Sequence, residues 1–376
     1  MTFNPEQKCS PPVPEAQALL TLDLAALVAN WHSLARRVAP AECSAVIKAD
    51  AYGIGLEQVF TALLKAGCRS FFVAHISEGL RARRITQDPA IKIYLLNGLL
   101  LSAESLDLIA SHALTPVLGS VPEWQFWTQS PQSHALPYAL HINTGMNRLG
   151  MQIPEALSLA NTAKPALIMS HFVSSELPAD PQNEKQIKSF EILRQAFAGI
   201  PASLANSSGI FLPQKPHFDL VRPGYALYGG NPTPDQPNPM RCVITLEAPI
   251  LQIREIQAGE TVGYNATWIT QRQSTLATIG LGYADGLLRS ASGSQDKTGA
   301  YGLFMGHKCP IVGRVSMDLT IFDVTNVPKG ELQPGKKLQI LGPDLSIDEL
   351  ASDSGTIGYE ILTSLGQRYH RIYRQS

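Results

Sequence analysis

The sequence predicts an α/β protein in two parts. An N-terminal (β/α)8 barrel of the TIM type is expected over residues 17–240, and a mostly-β domain over 241–376. Three observations predict this. Eight short apolar runs recur at roughly 20–30 residue intervals, with helix-like stretches between them. Side chains capable of chemistry stand just after those runs. Beyond about residue 240, helical spacing becomes scarce and short strand-like runs follow one another between glycine, proline and polar turns.

Residues 1–16 are polar, carry four prolines and read as a flexible arm. Barrel strands are expected at 44–49, 70–75, 91–96, 114–118, 138–142, 167–170, 202–205 and 218–221. Helices are expected at 56–66, 77–85, 154–162 and 186–198, where apolar residues fall at helical spacing. A doubly wound open sheet is the competing arrangement. The count of eight favours the barrel, and so do the residues after the strands: Lys48, His75, His141, His171, Asn206, Ser207 and Arg222. Barrel active sites lie at the C-terminal strand ends. In the second part, strands are expected at 243–250, 259–264, 274–279, 309–312 and 337–341, with one helical stretch at 347–352.

Composition narrows the function. The chain has 376 residues, 44% hydrophobic and 16% charged, enough for a sizeable core and more than one ordinary domain. A net charge of −1 gives no electrostatic reason to expect nucleic acid or a membrane surface as partner. No charge-free apolar run reaches about 18 residues, so no membrane span is expected. The first residues lack the apolar stretch of a signal peptide. Cys9, Cys43, Cys68, Cys242 and Cys309 are odd in number and include no CxxC, which suggests neither a disulfide framework nor a zinc site. A cytoplasmic protein fits these features.

Lys48 is the most informative residue. It ends the apolar run Ala45-Val46-Ile47 and precedes a glycine-rich turn, with Tyr52 four positions on. A lysine at the end of a buried strand is costly as a cation. Schiff-base chemistry is the use that needs its neutral amine; a surface lysine at a strand end is the plainer alternative. The loops after strands 7 and 8 read Asn206-Ser207-Ser208-Gly209 and Arg222-Pro223-Gly224-Tyr225. Barrels commonly bind phosphate there, through hydroxyls and backbone N–H groups, although ordinary turns have the same composition. Taken with Lys48, a phosphate cradle on the same face implies pyridoxal 5′-phosphate. Arg222 is then a candidate partner for the pyridine nitrogen, because an arginine keeps its proton and only donates; an ion pair with Asp219 is the alternative.

Several ordered runs carry a resemblance. They are Ala45-Val46-Ile47-Lys48-Ala49-Asp50-Ala51-Tyr52-Gly53, Asn143-Thr144-Gly145-Met146-Asn147-Arg148-Leu149-Gly150, Met169-Ser170-His171-Phe172, Ala205-Asn206-Ser207, Val221-Arg222-Pro223-Gly224, Gly282-Tyr283-Ala284-Asp285-Gly286, Val312-Gly313-Arg314-Val315-Ser316-Met317-Asp318 and Ile357-Gly358-Tyr359-Glu360. In this order they resemble the alanine racemases, pyridoxal-phosphate enzymes of fold type III, over nearly the whole chain after residue 16.

The resemblance implies that Lys48 holds the cofactor and acts on the D-alanine side, and that Tyr283 is the opposite base on the L-alanine side. It implies that Tyr52, Asn206, Ser207, Gly224, Tyr225 and Tyr359 lie around the cofactor, mostly at its phosphate; Tyr225 matches by position only. Arg222 would meet the pyridine nitrogen, with His171 beside it. Arg148 would serve the cofactor hydroxyl and the substrate carboxylate, and Met317 would touch substrate through its backbone. Glu176 and Arg314 would line the entry. The resemblance also implies a homodimer with active sites at the interface, where one subunit lends Tyr283 and Met317 to the other. Tyrosine ordinarily titrates near pH 10, so a tyrosine base needs a cationic neighbourhood, expected from His171 with Arg222.

The chain departs from the family pattern in three places. His141 stands where many members carry a carbamylated lysine, Asn143 where aspartate is usual, and Ser316 where cysteine is common. The expectation is that His141 holds Arg148 by a neutral hydrogen bond, or that a chloride does. A broader amino-acid racemase, a decarboxylase and a non-catalytic cofactor-binding barrel are the competing readings. The Tyr283 motif argues against the decarboxylase, and the second domain against the barrel-only protein. Cell-wall D-alanine supply and alanine catabolism use the same chemistry, so both fit.

Overall fold

A computed structural model describes residues 18–133, 136–328 and 330–375. The arm expected at 1–16 lies outside the described residues, as does Cys9. The chain divides into two compact units, one of residues 26–241 and one that joins the chain before residue 26 to residues 242–376.

The first unit is the barrel. Seven strands lie side by side in chain order, each parallel to the next: Ala45–Val46, Ser70–Val73, Lys92–Leu95, Thr115–Leu118, Ala139–His141, Leu167–Met169 and Ala202–Ser203. The eighth, Leu220–Val221, pairs in parallel with Glu42–Cys43, the segment that leads into the first. Ser44 and Val46 donate to the carbonyls of Val221 and Pro223 at 3.0 and 2.9 Å. On the other side, Asp219 and Arg222 donate to Ala202 and Ala205 at 3.0 and 2.9 Å. These bonds close the ring, so the eight expected strands form one barrel rather than an open sheet.

Alternation sets what faces where. Phe71 packs outward on Phe60 of the helix Leu56–Ala66, with ring centroids 4.4 Å apart. Phe72, one residue on, stacks inside on Tyr94 of the neighbouring strand at 4.5 Å. That helix buries Leu56, Val59, Phe60 and Leu63, the i, i+3, i+4, i+7 stripe of an amphipathic helix. It stops at Gly67, whose φ of +110° suits only glycine. Helices at Ala103–Ser111 and Val121–Gln129 complete parts of the outer layer that the sequence left unassigned.

The second unit is built on Ile244–Ile256, a thirteen-residue strand. Its first half pairs with Leu19–Asp23 and Lys337–Leu341, its second half with Ser274–Ile279. Leu19–Asp23 was expected within the barrel segment that starts at 17. Instead it is an inner strand here, antiparallel to 244–247 and parallel to His370–Arg374. Its Leu20 and Leu22 are fully buried, and that burial assigns it to this sheet. No helix among the described residues is long and apolar enough to cross a membrane.

Candidate active site

The barrel mouth gathers the polar residues of the strand ends. Lys48 follows the first strand and is half-buried. Burial, and then the Arg148 cation, push its amine below the usual lysine value, while Glu78 opposes them. A lowered pKa raises the fraction of free amine at neutral pH, which a nucleophile or base needs.

The chain after Lys48 is unusual. Ala49, Asp50, Ala51 and Tyr52 all have φ between +53° and +57°, one turn of left-handed helix without a glycine. Left-handed residues cost roughly 1–2 kcal/mol each, so surrounding bonds must hold them. Glu78 does much of this: one carboxylate oxygen accepts the N–H of Ala49 at 2.6 Å, and the other accepts those of Ala74 and His75 at 2.8 and 3.1 Å. Asp50 accepts Leu56 N–H at 3.1 Å and pairs with Arg81 at 2.6 Å. The turn therefore fixes both Lys48 and Tyr52.

Tyr52 reaches the loop after strand 8. Its ring stacks on Tyr228 at 4.7 Å, and a Cβ added to Gly224 would lie 2.3 Å from its hydroxyl. Ser207 Oγ accepts the N–H groups of Gly224 and Ala226 at 3.1 and 3.2 Å, which leaves its proton to donate. The Tyr52 and Ser207 hydroxyls thus both lie against Gly224, where any side chain would collide with Tyr52, and hydroxyl donors suit a phosphate. Asn206 plays a different part. Its amide oxygen accepts from Ser175 Oγ and Gly209 N–H, both at 2.8 Å, and so braces the turn. Tyr225 is buried nearby.

Arg222 is buried in the barrel mouth and has no carboxylate partner among the described residues. It donates to Ser203 Oγ at 2.5 Å, to the Ser170 carbonyl, and to His171 Nδ1 at 3.3 Å. Asp219, the alternative partner, instead pairs with Arg194 at 3.2 Å and accepts Ala202 N–H. Burial pushes the Arg222 guanidinium down to about 9, still cationic at neutral pH. Because Arg222 donates, His171 Nδ1 accepts and its proton sits on Nε2. Burial and Arg222 hold His171 well below its ordinary value, so it is neutral. The expected cationic pair is therefore Arg222 alone. His141 is also neutral, pushed down to about 4 by burial and the two arginines.

The loop bearing Arg148 is set by an amide pair. Asn143 Oδ1 accepts from Gly145 and Asn147 N–H at 3.1 and 3.0 Å, and its Nδ2 donates to Asn147 Oδ1 at 2.7 Å. An aspartate would lack that last donor. Arg148 stands exposed, and among the described residues it has no hydrogen-bonding partner, so the expected bond from His141 does not form. Below it runs a buried chain that the sequence did not reveal: Gln186 donates to Thr144 Oγ1 and the His171 carbonyl, and Thr144 meets Ser170 Oγ at 2.7 Å. Polar side chains on an amphipathic helix read as surface, so Gln186 left no signal. Glu78 likewise reads as an ordinary first-turn acid.

Tyr283, Met317 and Tyr359 belong to the second unit. Tyr283 N–H donates to the Ser316 carbonyl at 3.0 Å, which brings the Tyr283 and Met317 loops together. Tyr359 lies on the helix Gly358–Thr363. Tyr283 is 43% exposed and Met317 54%, so both side chains are available to a further surface. Glu176 is exposed, and Arg314 is half-buried beside Gly313.

Comparison with known proteins supplies a context. The family described as alanine racemase, N-terminal domain, matches residues 22–232, and alanine racemase, C-terminal domain, matches 243–373. The chain is 51% identical over 363 residues to the alanine racemase of Methylobacterium nodulans, covering 95% of this chain and 96% of that one. It is 44% identical over 372 residues to the biosynthetic alanine racemase of Agrobacterium fabrum, covering 96% and 94%. Among solved structures, the alanine racemase of Bartonella henselae with covalently bound pyridoxal phosphate is similar at a TM-score of 0.88 and 41% identity, covering 95% of this chain and 99% of that one.

Proposed function

The chain belongs to the alanine racemase family and has its enzymatic activity, and from that premise we propose a two-base mechanism with Lys48 on the D-alanine side and Tyr283 on the L-alanine side. The cofactor is pyridoxal 5′-phosphate. When bound, it supplies an aldehyde for amines and a ring that stores the electron pair left when a Cα proton departs.

This chain's residues would hold it as follows. Ser207, Gly224 and Tyr52 take the phosphate, with Tyr225 and Tyr359 beside it and Asn206 bracing the turn. Arg222, still cationic at neutral pH, would donate to the pyridine nitrogen and leave that atom unprotonated. This limits how far negative charge runs into the ring. Neutral His171, anchored by Arg222, packs alongside. Arg148, which has no ion-pair partner among the described residues and would itself be held by a chloride, would receive the substrate carboxylate, and the Met317 backbone would orient the same group. Lys48 would hold the cofactor aldehyde and, as a free amine, would take or return a proton on one face of Cα. Tyr283 does the same on the other, so inversion requires no rotation of the carbon between two bases.

The single observation that carries this reading is the grouping of Lys48, Arg148, Arg222 and His171 within electrostatic reach of one another, at the mouth that holds the Ser207–Gly224 cradle. We further propose a homodimer in which the partner's Tyr283 and the partner's Met317 complete each site. The exposure of both side chains, and of Ile357 at 63%, supports a surface that another subunit covers.

The test is Tyr283→Phe. It should slow loss of the Cα deuteron from L-alanine by about 100-fold or more and from D-alanine far less. Equal losses from both enantiomers would overturn the assignment. A non-catalytic binding barrel would take up the cofactor yet leave the rotation of L-alanine unchanged.

A further inference from the structure

Two loops of the second unit carry the residues assigned above to the far side of the substrate. Residues 282–286 carry Tyr283, and 316–319 carry Met317. Their backbones are laced together: Tyr283 N–H donates to Ser316 and Ala284 N–H to Met317, both at 3.0 Å. They run so close that a Cβ on Gly282 would lie 2.3 Å from the carbonyl oxygens of Ser316 and Met317.

A guanidinium joins the two loops from a third segment. Arg368 Nε donates to Asp285 Oδ1 at 2.9 Å, and its Nη1 donates to Asp318 Oδ1 at 2.8 Å. The second oxygen of Asp285 accepts the N–H of Gly282 at 2.9 Å, the peptide just before Tyr283. Asp318 directly follows Met317. The third segment is itself docked: Gly366 N–H donates to the Asp285 carbonyl at 2.9 Å, and Arg371 donates to the Gly366 carbonyl at 2.8 Å. One cation therefore ties together the residues that flank the proposed base and the proposed carboxylate contact.

We propose that Arg368 is a positioning residue for the reaction, holding Tyr283 and Met317 in mutual register through Asp285 and Asp318. The inference rests on the assignment of Tyr283 as a base. Arg368 acts through the loops and not on the reacting atoms. Arginine suits the task because its fixed fork presents separate donors to two carboxylates, whereas lysine offers a single point charge. Removing it leaves two carboxylates facing each other without a cation, and their repulsion spreads the loops. The Asp318 arm contributes little to overall stability, because Arg368 and Asp318 are about half exposed; the Asp285 arm ends on a buried carboxylate, which also keeps the Gly282 N–H as a donor. The readout that separates positioning from stability is therefore the difference between the two enantiomers, with the melting temperature measured beside it.

The test uses the full-length, cofactor-loaded enzyme. Deuteron loss from Cα is measured for L- and D-alanine in Arg368→Gln, Arg368→Lys, Asp318→Asn, the Arg368→Gln/Asp318→Asn double variant and Tyr283→Phe, together with the melting temperature of each. Arg368→Gln should slow the L-alanine reaction about tenfold more than the D-alanine reaction. Arg368→Lys should fall between wild type and Arg368→Gln. Adding Asp318→Asn to Arg368→Gln should recover about threefold of the L-alanine rate by removing the repulsion. Equal slowing of the two enantiomers in Arg368→Gln, or no recovery in the double variant, would overturn the proposal. Equal slowing in Tyr283→Phe would overturn the base assignment and the clamp together; asymmetry in Tyr283→Phe with symmetry in Arg368→Gln would remove the clamp alone.

Discussion

His141 stands beside two arginines with an imidazole that stays neutral. Its proton is held near pH 6.5 in an unfolded chain but only near about 4 in the fold. Between those values the unfolded chain binds more protons, so stability rises with pH across that window. The full penalty, about 3 kcal/mol, is felt below pH 4. His141→Gln should remove it. Urea unfolding at pH 7 and pH 4 should show wild type losing about 3 kcal/mol more than the variant over that interval, and parallel losses in the two proteins would refute the account. Single residues were legible in the sequence where their type is unusual for their position, as with Lys48 and Arg222 at strand ends. They were not legible where the type is ordinary. A glutamate in a first helical turn caps countless helices, and nothing local marks Glu78 as the group that holds the peptide after Lys48.

The element that matters most to the site is the left-handed turn after the first strand. The sequence predicts that strand over 44–49, because Val46 and Ile47 favour extended backbone and alanine gives no sign of a positive φ. Chain-distant partners, chiefly Glu78 and Arg81, impose the turn instead. Ala49 is exposed, so a glycine there would relieve strain without opening a cavity. Ala49→Gly should raise stability by about 0.5–1 kcal/mol, the strain relieved less the added chain entropy. A denaturant midpoint that falls would show that the turn is not strained at this residue. The other barrel strands were legible because each is a short apolar run between turn residues. The strands Tyr301–Phe304, Thr320–Asp323 and His370–Arg374 were not. They are four or five residues long and only half buried, too little pattern for periodicity to register.

At the scale of the whole molecule, the two-part division was legible from the change of texture near residue 240, whereas the place of Leu19–Asp23 was not, since an apolar run does not say which sheet will take it. The proposed exchange of Tyr283 between subunits has a statistical consequence. Lys48→Ala and Tyr283→Phe proteins should each racemise alanine very slowly alone. Unfolded together and refolded as a mixture, they should regain about a quarter of the wild-type activity, because half the dimers are mixed and each mixed dimer holds one intact site. If Lys48 and Tyr283 of the same chain served one site, no activity would return.

The strand at Leu19–Asp23 lies between 244–247 on one side and His370–Arg374 on the other. A ribosome delivers its first neighbour only after the entire barrel segment, and its second only with the final residues. That strand therefore waits wholly unpaired until residues 244–247 emerge, and keeps one apolar edge open until residues 370–374 do. A nascent chain cut short before residue 370 would release a molecule with that edge bare, a template for association with other chains.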